Sequence, residues 1–97
     1  MNADMHAKPD APVAKLKNIG PASAAWLQKA GICRVRDVQK LGAVAAYWRV
    51  KQREPRACLM LLYALEAGLR GVAPADLPPR ERSMLKSAAA LYGGKFL

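Results

Sequence analysis

Residues 16–41, LKNIGPASAAWLQKAGICRVRDVQKL, read as two short helices joined by the turn Asn18-Ile19-Gly20-Pro21, then a Gly-Ile turn and a third helix. Gly20 offers backbone angles that L-residues avoid and so can end one helix without steric cost. Pro21 is pre-set for the first turn of the next helix, where its missing N–H is not needed. Gly31 closes that helix, and Ile32 is placed to fold back on it as an apolar clamp. Such a hairpin leaves free backbone N–H groups at a helix start, where a phosphate can sit. The same hairpin also serves as plain scaffold.

Outward from this stretch the pattern stays helical. A short helix over about Val13–Asn18 carries Val13 and Leu16 inward. The helix after the hairpin, about Pro21–Ala30, places Ala22, Ala25, Trp26 and Lys29 at helical spacing, with Trp26 anchoring the face beside Leu27 and Ala30. Arg34–Leu41 presents Val35, Val38 and Leu41 on one side, with Asp37 among its basic residues. After Gly42, Ala43–Arg53 is striped by Val44, Tyr47 and Trp48, while Arg49, Gln52 and Arg53 face away. Pro55 breaks the pattern and pushes Glu54 out of the helical region.

The next helix, Arg56–Leu69, is the most apolar. Cys58, Leu61, Leu62, Leu65 and Leu69 form one face, and Leu59, Met60 and Tyr63 widen it almost all round, which marks a core helix. Gly71 ends it, and VAPADLPP follows as a loop. A last helix, about Pro79–Tyr92, turns Met84, Leu85, Ala88, Leu91 and Tyr92 inward and stops at Gly93-Gly94. No strand-like alternation is present. The expectation is an all-α compact bundle of five or six short helices over residues 12–97, containing a helix-hairpin-helix-like unit. Residues 1–11 mix Ala, Asp, Lys, Asn and Pro with no apolar period and read as a disordered tail.

Ninety-seven residues allow one modest core. The chain holds 16 Lys and Arg against 7 Asp and Glu, a formal charge of +9, and that excess attracts polyanions at low salt. Eight of the cations (Lys29, Arg34, Arg36, Lys40, Arg49, Lys51, Arg53 and Arg56) fall in one run opposed by Asp37 and Glu54 alone. If they share a face they can follow a phosphate backbone; if they scatter they are a solvated surface. Nothing here resembles a helix that reads base edges, so contact with DNA would be backbone-directed and salt-sensitive. The candidate contacts are Lys15, Lys17, Gly20, Ala22 and Ser23 at the hairpin, and Lys29, Arg34, Arg36, Lys40, Arg49 and Arg53 in the run. The hairpin carries Asn-Ile-Gly instead of the Gly-Ile-Gly typical of DNA-binding hairpins, and Pro21 removes one donor.

Other chemistry is not indicated. Cys33 and Cys58 form no CxxC and have no histidine pair nearby, which points away from a disulfide framework or zinc site and toward a reducing cytosol. His6 stands alone, Ser23 and Ser87 lack an activating histidine, and the carboxylates are scattered, so neither an enzyme nor a cofactor is expected. Trp26 and Trp48 could stack on bases, but at helical spacing the core reading is favoured, which leaves no exposed aromatic platform for single strands. No segment reaches the 18 or so apolar residues of a membrane span. MNADMHAKPDAP lacks an apolar signal core, so a cytoplasmic protein with no membrane partner is expected.

Several segments together resemble one family. LKNIGPASAAWLQKAGI (16–32), RVRDVQKLGAVAAYWRVK (34–51), LMLLYALEAGLRG (59–71) and DLPPRER (76–82) are similar to the C-terminal domain of the TfoX/Sxy regulators of natural competence. The family pattern falls on Leu16 to Pro21, Leu27, Gly31-Ile32, Leu41 to Tyr47, Leu62 to Gly71 and Leu77-Pro78, in order and at matching spacing, over about residues 13–93. The resemblance implies a helix-hairpin-helix-like (SAM-like) bundle, similar to small helical domains of DNA-handling and transcription proteins. TfoX-like regulators switch on DNA-uptake genes and usually carry an additional N-terminal domain, for which these 97 residues leave no room. The family supplies no agreed set of DNA-contacting residues. The leading expectation is a non-enzymatic regulatory or adaptor module that binds double-stranded DNA through phosphates, a regulatory protein partner, or both. The alternative is a stand-alone protein-interaction domain, a homodimer being one form, with its basic face serving solubility. That version would expose an apolar patch on the Tyr47 or Leu59/Tyr63 side. A small RNA-associated protein is a third reading, carried by charge alone.

Overall fold

Turn chemistry sets the boundaries of every element. The computed structural model describes residues 7–94. Its α-helices are α1 (Pro21–Lys29), α2 (Val35–Leu41), α3 (Ala43–Arg53), α4 (Leu59–Arg70) and α5 (Pro79–Gly93), with 3-10 turns at Val13–Lys15 and Pro74–Asp76 and no strand among the described residues. It is the expected all-α bundle. α1 and α4 close alike. Gly31 and Gly71 take φ of +85° and +75°, and the next residue folds back: Ile32 N–H donates to the Leu27 carbonyl at 2.8 Å and Val72 N–H to that of Ala67 at 2.9 Å. This closure satisfies orphan carbonyls and needs a left-handed residue, which glycine supplies without a Cβ clash.

The turn before α1 is built differently from the expectation. Gly20 is extended, with φ −85° and ψ −179°, and the left-handed residue is Asn18, φ +76°. Asn tolerates that region better than most L-residues, and here its side chain has a reason to sit there. Asn18 Nδ2 donates to the Val72 carbonyl at 2.8 Å and reaches that of Ala64 at 3.4 Å, tying the turn to α4 across 54 and 46 residues. The helix expected over 13–18 is reduced to a 3-10 turn, so the expected helix-hairpin-helix-like unit is not seen as a pair of α-helices.

Part of the segment read from sequence as a tail lies along the start of α2; residues 1–6 lie outside the described residues. Val35 N–H donates to the Ala11 carbonyl and Arg36 N–H to that of Pro9, both at 3.0 Å, while Val13 N–H donates to the Cys33 carbonyl at 2.9 Å. Arg34 Nη1 donates to the Asp10 carbonyl at 2.7 Å, and Arg36 pairs with the Asp10 carboxylate. The orphan N–H groups at the start of α2 are thus satisfied by this segment. Composition alone gave no sign of it because the partners lie two dozen residues away.

α3 is the centre of the packing and touches α1, α2, α4 and α5. Around it Leu27, Ile32, Val38, Val50, Leu62 and Leu65 are fully buried or within 1% of it. α4 runs so close to the first turn that a Cβ on Gly68 would overlap the Lys17 carbonyl oxygen and stand 3.2 Å from Leu16 Cγ. Four expected core assignments change, the first being Met60 on α4, which is 62% exposed. Leu27 and Ala24, not Trp26, anchor α1, and Trp26 is only partly buried. α4 starts at Leu59, leaving Cys58 exposed at its N-cap rather than packed. α5 is rotated: Met84 (63%) and Leu91 (78%) are exposed, as is Ala88, while Ala89 and Gly93 face in. The cause is Trp48, whose Nε1 donates to the Ala89 carbonyl at 2.7 Å. Its ring lies where a Gly93 Cβ would be. Arg70 also joins the helices, pairing with Glu66 on α4 and Glu81 on α5.

Candidate nucleic-acid interface

The sequence candidates separate into three groups once folded. Lys15, Lys17, Lys29, Lys40, Arg49 and Arg53 are exposed. None of the six side chains makes a hydrogen bond or ion pair among the described residues. Arg34 and Arg36 are diverted, their guanidiniums holding the segment around Asp10 against the start of α2. Gly20, Ala22 and Ser23 sit at the start of α1, which has no side-chain cap and Pro21 at its first position. The first backbone bond there runs from Ala24 N–H to the Gly20 carbonyl at 2.9 Å, which leaves the N–H groups of Ala22 and Ser23 pointing ahead of the helix. A Cβ on Gly20 would meet nothing within 4 Å, so the fold itself does not need glycine there.

Four of the run's cations are brought together. Arg49 and Arg53 are one turn apart on α3 and therefore share a side. Arg49 borders one shallow depression together with Lys40, Asp37 and the Gly31-Ile32 turn. Arg53 borders the next together with Lys29, Trp26 and Glu54. Trp26 is also a wall of a third cleft, shared with Asn18, Ser23, Arg56, Met60 and Leu61. In surface order the stripe reads Lys40, Arg49, Arg53, Lys29, Trp26, Arg56. Lys51 leaves it: its Nζ donates to the carbonyls of Pro55 (2.8 Å) and Ala57 (2.5 Å) and fastens the α3–α4 loop.

Both carboxylates in the stripe are already engaged. Asp37 Oδ2 accepts the N–H groups of Arg34 at 3.0 Å and Cys33 at 3.1 Å. The Arg34 N–H is the main cause of a carboxyl held below its usual range, with Cys33 N–H and the charges of Lys40 and Arg36 adding to it against partial desolvation. Glu54 accepts from Arg56 Nε at 2.7 Å, Nη2 at 3.2 Å and backbone N–H at 3.1 Å. That side-chain pairing lowers the Glu54 carboxyl and raises the Arg56 guanidinium. The Arg56 guanidinium in turn lies over Trp26, Cζ 5.9 Å from the ring centroid. Sequence reasoning weighed base stacking by Trp26 and set it below a core role, and it counted Arg56 in the basic run without naming it as a contact. The available signal was Glu54-x-Arg56 straight after a helix break, a spacing that lets one side chain clamp the other.

Among the described residues no cluster of three or more His, Cys, Asp or Glu could hold a metal ion. No helix among them is long and apolar enough to cross a membrane. A family model described as the TfoX C-terminal domain matches residues 10–89. The fold is similar to the crystal structure, in a triclinic form, of an uncharacterized protein from Listeria monocytogenes. The two share 28% identity with a TM-score of 0.77, over 87% of this chain and 96% of that one. No curated protein matches the chain.

Proposed function

Since this chain belongs to the TfoX C-terminal domain family, a family of regulatory domains, we propose that it is a non-enzymatic regulatory module that grips the phosphate backbone of double-stranded DNA in transcription-related control in the cytoplasm. The observation that supports this most is the stripe Lys40, Arg49, Arg53, Lys29, whose side chains line adjoining depressions from three helices and make no hydrogen bond or ion pair among the described residues. Cations held ready on rigid helices release the condensed counterions of a duplex at little further ordering cost, and that release drives backbone binding. The start of α1, with Lys15 and Lys17 beside it in sequence, adds backbone donors at one end. Arg34 and Arg36 take no part in this reading, because Asp10 occupies them.

Binding to a fluorescent mixed-sequence duplex at 50 and 200 mM salt tests it. About four phosphate contacts predict a loss of about 100-fold between those salts. Lys29→Glu/Arg53→Glu should weaken binding at least about tenfold and flatten the salt dependence, whereas Arg34→Glu should leave both almost unchanged. No binding at 50 mM would remove the DNA reading.

A second reading rests on α5. Met84, Ala88 and Leu91 form an exposed apolar line, on a different helix from the Tyr47 and Leu59/Tyr63 sides expected from sequence. The first half of α5 carries Arg80, Arg82 and Lys86 against Glu81, which Arg70 already pairs, while Ser87–Gly93 carries no charge and ends on the negative pole of the helix. Two α5 helices packed antiparallel would set each basic half against the other's carbonyl end, so a second copy is the occupant this face suits. Sedimentation at tens of micromolar should show a dimer that Leu91→Glu converts to monomer; a monomer at every concentration disposes of this reading.

A further inference from the structure

We propose that Arg56, clamped by Glu54 over Trp26, is a stacking platform for an unpaired base, and that the preferred ligand is a duplex carrying a single-stranded extension. The inference rests on the DNA reading above and names the ligand class for the end of the same stripe.

Three observations carry it. First, the guanidinium is held along one edge: Glu54 takes its Nε and Nη2 together, at 2.7 and 3.2 Å, and its Cζ stands 5.9 Å from the Trp26 ring centroid. Two bonds to one carboxylate restrict the orientation of the plane, so part of its ordering cost is met before any ligand arrives. Second, the plane is open, since the Arg56 side chain keeps 78% of its surface exposed although its charge is paired. An arginine whose edge is satisfied and whose face is free is suited to stacking rather than to phosphate contact. Nucleobases stack on guanidinium planes and aromatic rings in single-strand recognition. Third, the unpaired cations Lys29 and Arg53 share the adjoining depression with Trp26, placing phosphate contacts next to the plane. Blunt duplex DNA can use those cations but offers no unstacked base, whereas a strand that runs past the duplex end offers both.

The test compares three probes of one duplex: blunt, with a five-nucleotide thymidine overhang, and with an abasic overhang of equal charge. The thymidine overhang should bind about tenfold or more tightly than the abasic one, the effect of a single stacked base, and should quench tryptophan emission on binding. Arg56→Lys keeps the charge and loses the plane. It should erase the difference between the two overhangs. Equal affinity for thymidine and abasic overhangs would sink the platform and leave the phosphate-binding stripe in place. Failure to bind any of the three probes would overturn both.

Discussion

Gly68→Ala should lower the unfolding midpoint by about 10 to 20 °C, although alanine is the better helix former. In an exposed helix interior that exchange gains about 1 kcal/mol. Here the added methyl lands on the Lys17 carbonyl oxygen, a backbone atom, and within 3.2 Å of Leu16 Cγ. Neither neighbour can retreat cheaply. The Asn18 amide binds the turn to the Val72 and Ala64 carbonyls, and Val13, Leu16 and Ile19 are buried on either side of the contact. Overpacking against a backbone atom costs about 3 to 4 kcal/mol, at the upper end for such changes, so the clash outweighs the propensity gain. A net loss of about 2 to 3 kcal/mol corresponds to that midpoint shift for a domain of this size. Thermal denaturation followed by circular dichroism reads it, with Gly20→Ala, where a Cβ meets nothing within 4 Å, as the variant expected to change little. A midpoint that rises in Gly68→Ala would mean that α4 and the first turn are not in contact.

Trp48→Ala should cost about 3 to 4 kcal/mol and loosen α5 before the rest of the protein. The indole makes three contacts, two of them to that helix. Its Nε1 holds the Ala89 carbonyl at 2.7 Å, its ring fills the space left by Gly93, and it meets Tyr47 edge-on with centroids 5.5 Å apart. Removing a large aromatic leaves a cavity that small neighbours cannot fill, and Ala89 and Gly93, which α5 sets against the indole, are small. Hydrogen exchange should show α5 amides losing protection first. Trp48→Phe, which keeps a ring but drops the hydrogen bond, should fall between the two. Uniform weakening of all helices would show that Trp48 is an ordinary core residue and not the fastening of α5.

Much of the helical layout was legible from punctuation. Gly42 and Pro55 bracket α3 at the bounds read from sequence, and Gly31 and Gly71 take the left-handed angles that their places after a helix imply. The first turn misled because glycine and asparagine both fit a left-handed position. The choice fell to Asn18 through bonds to carbonyls around fifty residues away, which no local pattern records. Helix faces were read correctly where large residues dominate, as at Leu61, Leu62 and Leu65, and wrongly where small ones do the docking. α5 turns Ala89 and Gly93 inward and leaves Met84 and Leu91 out. Of the site, the i, i+4 pair Arg49 and Arg53 was visible on one helix, but its meeting with Lys29 and Lys40 is tertiary. Charge counting could not distinguish Arg34 and Arg36, which Asp10 engages, from cations left open to solvent.

The central place of α3 has a consequence for how the chain comes apart. No stretch that stops short of Ala43 or starts beyond Arg53 can close a core, because each outer helix leans on this one rather than on its neighbours in sequence alone. Loss of α3 therefore removes the surface on which the other four are assembled, and the domain melts as one cooperative unit instead of by halves. The last amides to exchange with solvent will be those around Ala46 and Val50, at the hub of the molecule and not at either end.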